Sequence, residues 1–289
     1  MSEQSLLVRK MMREADIWNA PLDQIRGALV SATSAGMPGT VQTDTVMIGT
    51  VPCESFCYKG KKANSIGIYY HGGGGCLGIY HSNREFVARL CEHLKMDFIM
   101  PDYRLAPEFT YPAAHEDALQ VYQLISQSRD ANEDVIVLGD SFGCMLALAT
   151  IQKIQEAGGV MPKKMAMLTP FLDVTGTSVT YLSKVGDDPF QIKEPLGLVN
   201  IYLGDWVHKA REISTVYGNL KGLPPLLIHA AECDVYSGDA ELLYKRASES
   251  GVVAEIKYWN EMWHVFHMHD TFVPESKTAV EELCCFLAE

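Results

Sequence analysis

The chain has 289 residues, of which 47% are hydrophobic and 21% charged. That is length and apolar content enough to bury a large core, and it excludes disorder, coiled coil and collagen. Lys and Arg number 24 against 36 Asp and Glu, a formal net charge of −12, so the surface repels nucleic acid and anionic membranes.

Residues 1 to about 33 carry Val8, Met11, Met12 and Ala15, then Leu22, Ile25 and Leu29, at helical spacing. They predict two amphipathic helices with no strand to serve. Arg9, Lys10, Arg13 and Glu14 stand where a signal peptide needs an unbroken apolar run, and no apolar stretch reaches the ~18 residues of a membrane span. Eight cysteines dispersed through apolar segments read as reduced core thiols rather than a disulfide framework. A soluble, cytoplasmic protein is expected.

VQTDTVMIG and PCESFCYKG, nearly contiguous, predict an antiparallel hairpin at the start of a sheet. From Ser65 onward SIGIYY, MDFIMPD, DVIVLGD, KMAMLTP, PPLLIHA and VAEIKYW alternate with helical patterns, which implies crossover connections and a mostly parallel sheet. One helix starts at Pro112 with Ala114, Ala118, Val121 and Ile125 on one face; another runs from Ser141 to about Gly158. The expected fold class is α/β, a three-layer sandwich. Between the strand ending near Pro170 and that starting near Pro224 lie about 54 residues, too many for one crossover helix, so a lid is expected there.

Gly139-Asp140-Ser141-Phe142-Gly143 is a G-x-S-x-G motif between a predicted strand and helix. There a serine sits on a sharp turn with strained dihedrals, flanked by glycines that let strand and helix approach; a structural turn with a helix-capping serine is the alternative. A serine hydroxyl needs a base, and the base an orienting carboxylate. Asp234 follows PPLLIHAAEC and His264 follows VAEIKYW, both past strand carboxyl ends on the same rim as Ser141, in the order Ser, Asp, His expected of α/β hydrolases. Glu232 and Asp239 are alternative acids, and His267 and His269 lie close to His264, which is preferred because it is nearest the strand end, between Trp263 and Phe266. His71-Gly72-Gly73-Gly74-Gly75 follows SIGIYY, and such glycines can expose successive N–H groups to an oxyanion. A flexible linker or a phosphate loop is the alternative, without the G-x-G-x-x-G or Walker lysine the latter needs. His264-x-x-His267-x-His269 contains metal-ligand types without a diagnostic spacing. Neither a metal nor a cofactor is expected. Cys76 and Cys144, near the predicted helix start, read as buried fillers.

With these motifs assembled the chain resembles the hormone-sensitive-lipase-like family of α/β hydrolases, especially its bacterial carboxylesterases. Asp102-Tyr-Arg-Leu-Ala-Pro-Glu108, Tyr111-Pro-Ala-Ala114 and Leu223-Pro-Pro225 add to the match, which spans about Ser65 to the C-terminus. The resemblance implies Ser141 as nucleophile, His264 as general base and acid, Asp234 as orienting carboxylate, and an oxyanion hole from the N–H groups of Gly73, Gly74 and Phe142. It also implies a helical cap, giving 1–35 as N-terminal cap helices, 36–173 and 216–289 as the catalytic core, and 174–215 as the cap insertion.

Phe142 replaces the small residue usual after the nucleophile, so its ring is expected to narrow the acyl or alcohol pocket, while Gly75, where an aromatic is common, is expected to reopen that wall. Asp102, Arg104 and Glu108 are expected to form an ion-paired turn bracing the glycine loop. The expected function is hydrolysis of short-to-medium acyl esters through an acyl-enzyme. An amide hydrolase of the formamidase kind, a lactonase and a non-catalytic small-ligand receptor are the alternatives. A small ester is the expected partner, with no nucleic acid and no membrane, and a homodimer through the edge strand near Val253 is a further expectation.

Overall fold

The computed structural model describes residues 1–32, 36–128, 133–190 and 193–289. Eight strands form one sheet: β1 (Val41–Ile48), β2 (Val51–Tyr58), β3 (Ser65–Tyr70), β4 (Asp97–Pro101), β5 (Asp134–Asp140), β6 (Lys164–Leu168), β7 (Leu226–Ala231) and β8 (Ala254–Trp259). Their order is β1-β2-β4-β3-β5-β6-β7-β8. β1 and β2 form the expected antiparallel hairpin, β2 runs antiparallel to β4, and the other pairings are parallel.

The central strands are apolar along their whole length because both faces are covered. Alternate residues divide between two cores. Ile68, Val137, Met165 and Ile228 face α4 (Ala113–Ser128), α5 (Phe142–Glu156) and α9 (Ser237–Glu249). Tyr69, Leu138, Ala166 and Leu227 face α3 (His81–Leu94) and α10 (Pro274–Ala288). The three layers follow from the period-2 geometry of strands.

The stretches outside the alternation sit at the carboxyl rim. α1 (Glu3–Ala15) and α2 (Leu22–Ser31) precede the sheet. Ser2 caps α1, and its amide and hydroxyl, with that of Ser5, donate to the Glu275 carboxylate at the start of α10. Between β6 and β7 come three short helices, α6 (Thr180–Ser183), α7 (Gly197–Leu203) and α8 (Ala210–Ile213), with 3₁₀ turns at 204–209 and 215–217. The expected boundary at 35 falls on residues 33–35, outside the described residues. At the far edge of the sheet β8 leaves Val253 and Tyr258 exposed. Among the described residues no helix is long and apolar enough to cross a membrane.

Candidate active site

The turn from β5 into α5 holds Ser141 at φ 51°, ψ −123°, a left-handed backbone that costs a non-glycine residue of order 1–3 kcal/mol. Both neighbouring glycines are required by space. A Cβ on Gly139 would lie 2.6 Å from the Gly143 carbonyl, and one on Gly143 only 1.9 Å from the Tyr70 oxygen. Backbone bonds on either side hold the strain: Ser141 N–H donates to Leu168 O, and Ser141 O accepts from Cys144 and Phe171.

His264 follows β8 and reaches back across the rim. Its Nε2 lies 2.8 Å from Ser141 Oγ and its Nδ1 2.9 Å from Asp234 Oδ2. An ionised carboxylate can only accept, so Nδ1 carries the proton and the unprotonated Nε2 receives the serine hydroxyl. Asp234 is buried and takes the Tyr236 amide on its other oxygen at 2.9 Å. Burial works against protonation of His264, but the charge and hydrogen bond of Asp234, with further charge from Asp188 and Asp140, outweigh it, so the imidazole titrates above its ordinary value. The Tyr236 and Phe190 rings stand edge-on to it, with centroids at 4.8 and 6.2 Å.

The alternative residues are engaged elsewhere. Glu232 accepts the Glu261 amide on the surface. Asp239 takes the amides of Leu172 and Asp173 and the Tyr181 hydroxyl. His267 Nε2 meets His229 Nδ1 at 2.9 Å, and burial drives both imidazoles well towards neutrality. His269 is half-buried beside the Trp263 ring. Among the described residues no three His, Cys, Asp or Glu side chains are grouped so as to hold a metal ion.

The glycine loop leaves β3 beside the serine: a Cβ on Gly72 would lie 3.0 Å from Ser141 Cβ and 2.3 Å from an Asp140 oxygen. Gly73, Gly74 and Gly75 have φ of 109°, 61° and 73°, a run that only glycine tolerates. Among the described residues no acceptor within the chain is assigned to the amides of Gly73, Gly74 or Phe142. Two residues that sequence reasoning did not single out hold this loop. Asp140 accepts the Gly72 amide at 3.0 Å and the Tyr69 hydroxyl at 2.6 Å; burial pushes its carboxyl up to about 6 against those hydrogen bonds. Its signal is a carboxylate at the end of a fully apolar strand. Arg26 of α2 donates to the carbonyls of Cys76 and Ala106 and pairs with Glu108, and nothing in the helical spacing marked it.

Three expectations on this loop are corrected or settled by the coordinates. Asp102, Arg104 and Glu108 do not pair with one another: Arg104 bonds Asp117 and Glu116, and Glu108 bonds Arg26. Gly75 does not open the wall, because a Cβ there would meet the Tyr202 ring at 2.6 Å and Phe142 at 3.1 Å. Cys76 and Cys144 are buried fillers, their thiols raised by burial, that of Cys76 to about 12.

A strained serine bonded to an imidazole, that imidazole bonded to a carboxylate, and free amides beside it on strand-end loops describe a hydrolase rim, and the comparisons agree. Residues 67–268 match the family described as alpha/beta hydrolase fold. The chain belongs to that family. This α/β hydrolase is similar to an esterase of Acinetobacter venetianus, 29% identical over 86% of this chain and 82% of the relative. It is also similar to an acetyl-hydrolase of Streptomyces hygroscopicus, 28% identical over 87% and 84% respectively. A crystal structure of an esterase from the bacterial hormone-sensitive lipase family superposes with a TM-score of 0.89 at 27% identity, covering 100% of this chain and 98% of that one.

The contact between Gly143 and β3 makes a sharp test. Gly143→Ala places a methyl on the Tyr70 carbonyl and is expected to destabilise the hydrolase by about 3 kcal/mol or more, measured by urea unfolding. A stability within 0.5 kcal/mol of the parent would contradict the account of the turn.

Proposed function

We propose that this α/β hydrolase is a serine carboxylesterase of the hormone-sensitive-lipase-like group, cleaving short-to-medium acyl esters through an acyl-enzyme, with no metal or cofactor. The observation that carries the reading is the pair of distances at His264, 2.8 Å to Ser141 and 2.9 Å to Asp234. The names of the similar proteins, esterase and acetyl-hydrolase, support the same bond type. Ser141 Oγ attacks the ester carbonyl carbon as His264 Nε2 takes its proton. The tetrahedral oxyanion is met by the amides of Gly73, Gly74 and Phe142, each such donor being worth about 2.7–4 kcal/mol of barrier. His264 then protonates the departing alcohol oxygen, leaving the acyl group on Ser141. Water, deprotonated by the same nitrogen, attacks the acyl carbon; the acid leaves and Ser141 regains its proton. Asp234 keeps Nδ1 protonated and favours the transient imidazolium.

The helices of 1–35 and 174–215 serve as the cap. Arg26 on the glycine loop and the Phe190 ring beside His264 support this division. Eight free thiols favour a reducing compartment, the cytoplasm. Amide or lactone cleavage would use the same residues, and a panel of p-nitrophenyl esters, anilides and lactones separates them. A ligand receptor without turnover is disfavoured by the complete serine–imidazole–carboxylate chain.

Ser141→Ala is expected to lower p-nitrophenyl butyrate hydrolysis about 10⁴-fold or more and to abolish labelling by a fluorophosphonate probe, with an unchanged circular dichroism spectrum. Retained hydrolysis in that variant ends the proposal. The base must be neutral to accept a proton, and its folded value is raised, so kcat/KM should fall with acidification through a midpoint above the ~6.5 of an ordinary histidine. An acidic limb below 6 would contradict the carboxylate arrangement. We also propose that two copies pair through the free edge of β8, where Val253 and Tyr258 are exposed. Light scattering should give twice the chain mass and, for Tyr258→Lys, a single chain; a monomeric parent would refute this pairing.

A further inference from the structure

Asp188 is a further buried acid outside the serine–histidine–aspartate chain just described. Asp188, in the segment between α6 and α7, has no exposed surface. One of its oxygens accepts the Phe190 amide at 3.0 Å; the other has no partner among the described residues. Among the described residues no cation pairs with it. Arg9 and Arg13 of α1 come near but donate to the carbonyls of Gly186 and Asp187, and Lys184 donates to Glu232 O and Ser237 Oγ. A carboxylate buried without a cation is costly, and a fold gains nothing from it for packing alone.

The groups facing Asp188 are those of the proposed chemistry. Burial, and then the charge of Asp234, push the Asp188 carboxyl up to about 7, while the charge of His264 pulls it back down, so the carboxylate is favoured as the imidazolium forms; Tyr236 feels Asp188 in turn. Against its own burial, His264 is favoured in the protonated form first by Asp234 and then by Asp188 and Asp140, and His267 feels the charge of His264. The Phe190 ring, whose amide Asp188 holds, stands edge-on to the His264 ring and to Trp18.

We propose that Asp188 is a positioning residue for acyl transfer: it anchors the Phe190 amide, whose ring stands edge-on to His264, and supplies a second negative charge to the imidazolium formed when Ser141 gives up its proton. This rests on the acyl-transfer reading of the Ser141 site. It assigns the segment between α6 and α7 a part in setting the base, in addition to covering the site.

The test uses the full chain. Asp188→Asn keeps the shape and removes the charge; Asp188→Glu keeps the charge. Two readouts are taken, the titration midpoint of His264 by imidazole NMR in the resting protein and the pH profile of kcat/KM on p-nitrophenyl butyrate. Loss of a negative charge disfavours the protonated ring. Both the midpoint and the acidic limb should therefore move to lower pH in Asp188→Asn, by about half a unit or more. At the same time kcat should fall about tenfold with KM within about twofold. Asp188→Glu should return the limb towards the parent value. A His264 midpoint unmoved in Asp188→Asn overturns the proposal, as does a loss carried by KM alone. Asp188→Ser serves the same comparison if Asp188→Asn does not fold. The NMR midpoint needs no turnover, so absence of esterase activity in the parent would count against the acyl-transfer reading and leave the Asp188 result to be judged separately.

Discussion

The close approach of α5 to the end of β3, where the Gly143 Cα faces the Tyr70 carbonyl, is the constraint on which the rest of the rim depends. No side chain fits there, so the helix must begin immediately after β5, and Ser141 must take the left-handed backbone that lifts its hydroxyl out of both strand and helix. The same contact brings the loop leaving β3 against the turn leaving β5. Gly72 then lies beside Ser141, and its amide is caught by Asp140, the residue just before the serine. Ser141 and the candidate oxyanion amides are thus placed by one packing event, close to the positive end of a 15-residue helix.

The two N-terminal helices are tied to that rim by long cationic arms. Arg9 of α1 donates to Glu261 O in the loop leading to His264 and to Asp187 O in the insertion. Arg26 of α2 donates to Cys76 O and Ala106 O around the glycine loop. Each guanidinium spans two segments far apart in the chain, which its five fixed donors allow and an ammonium would do less well. The N-terminal helices bury few apolar side chains, Val8 and Ile25, with Met12 and Leu22 in part, and these polar ties add to the register that this packing sets.

The sheet, its hairpin and the principal helices were legible because buried strands and amphipathic helices leave periodic marks, and Ser141 because a G-x-S-x-G turn encodes its own backbone strain. The carboxylate bonded to His264 was less legible. Asp234 and Asp239 both follow β7, and what separates them is that Asp239 is already occupied by the Leu172 and Asp173 amides, bonds made by residues 66 and 67 positions away. Long-range pairing also hid the partners of Arg104 and Glu108: residues two or four apart in an irregular turn are not thereby side-chain neighbours, and Glu108 finds Arg26 across 82 residues. Asp188 left no mark at all, since a single carboxylate in an aperiodic insertion looks like solvent-facing chain until its burial is known.

The two departures at the glycine loop, Phe142 and Gly75, are one change rather than two. Phe142 is fully buried and its ring meets Tyr202 at 5.0 Å edge-on, in the space a side chain on Gly75 would claim. Tyr202 is held there by His115 Nδ1 at 2.8 Å, and its carbonyl accepts the Tyr111 amide. The wall beside the loop is therefore filled by rings from α5 and α7, as the close packing of a dense interior demands. Leu198 of the same helix sits 2.6 Å from where a Gly74 Cβ would be. Gly74, which bears one of the candidate oxyanion amides, thus rests directly on α7, while Gly73 packs on Leu77 of its own loop. A displacement of that helix would remove the floor from under the Gly74 amide, so the seating of α7 and the geometry of that amide are a single physical variable.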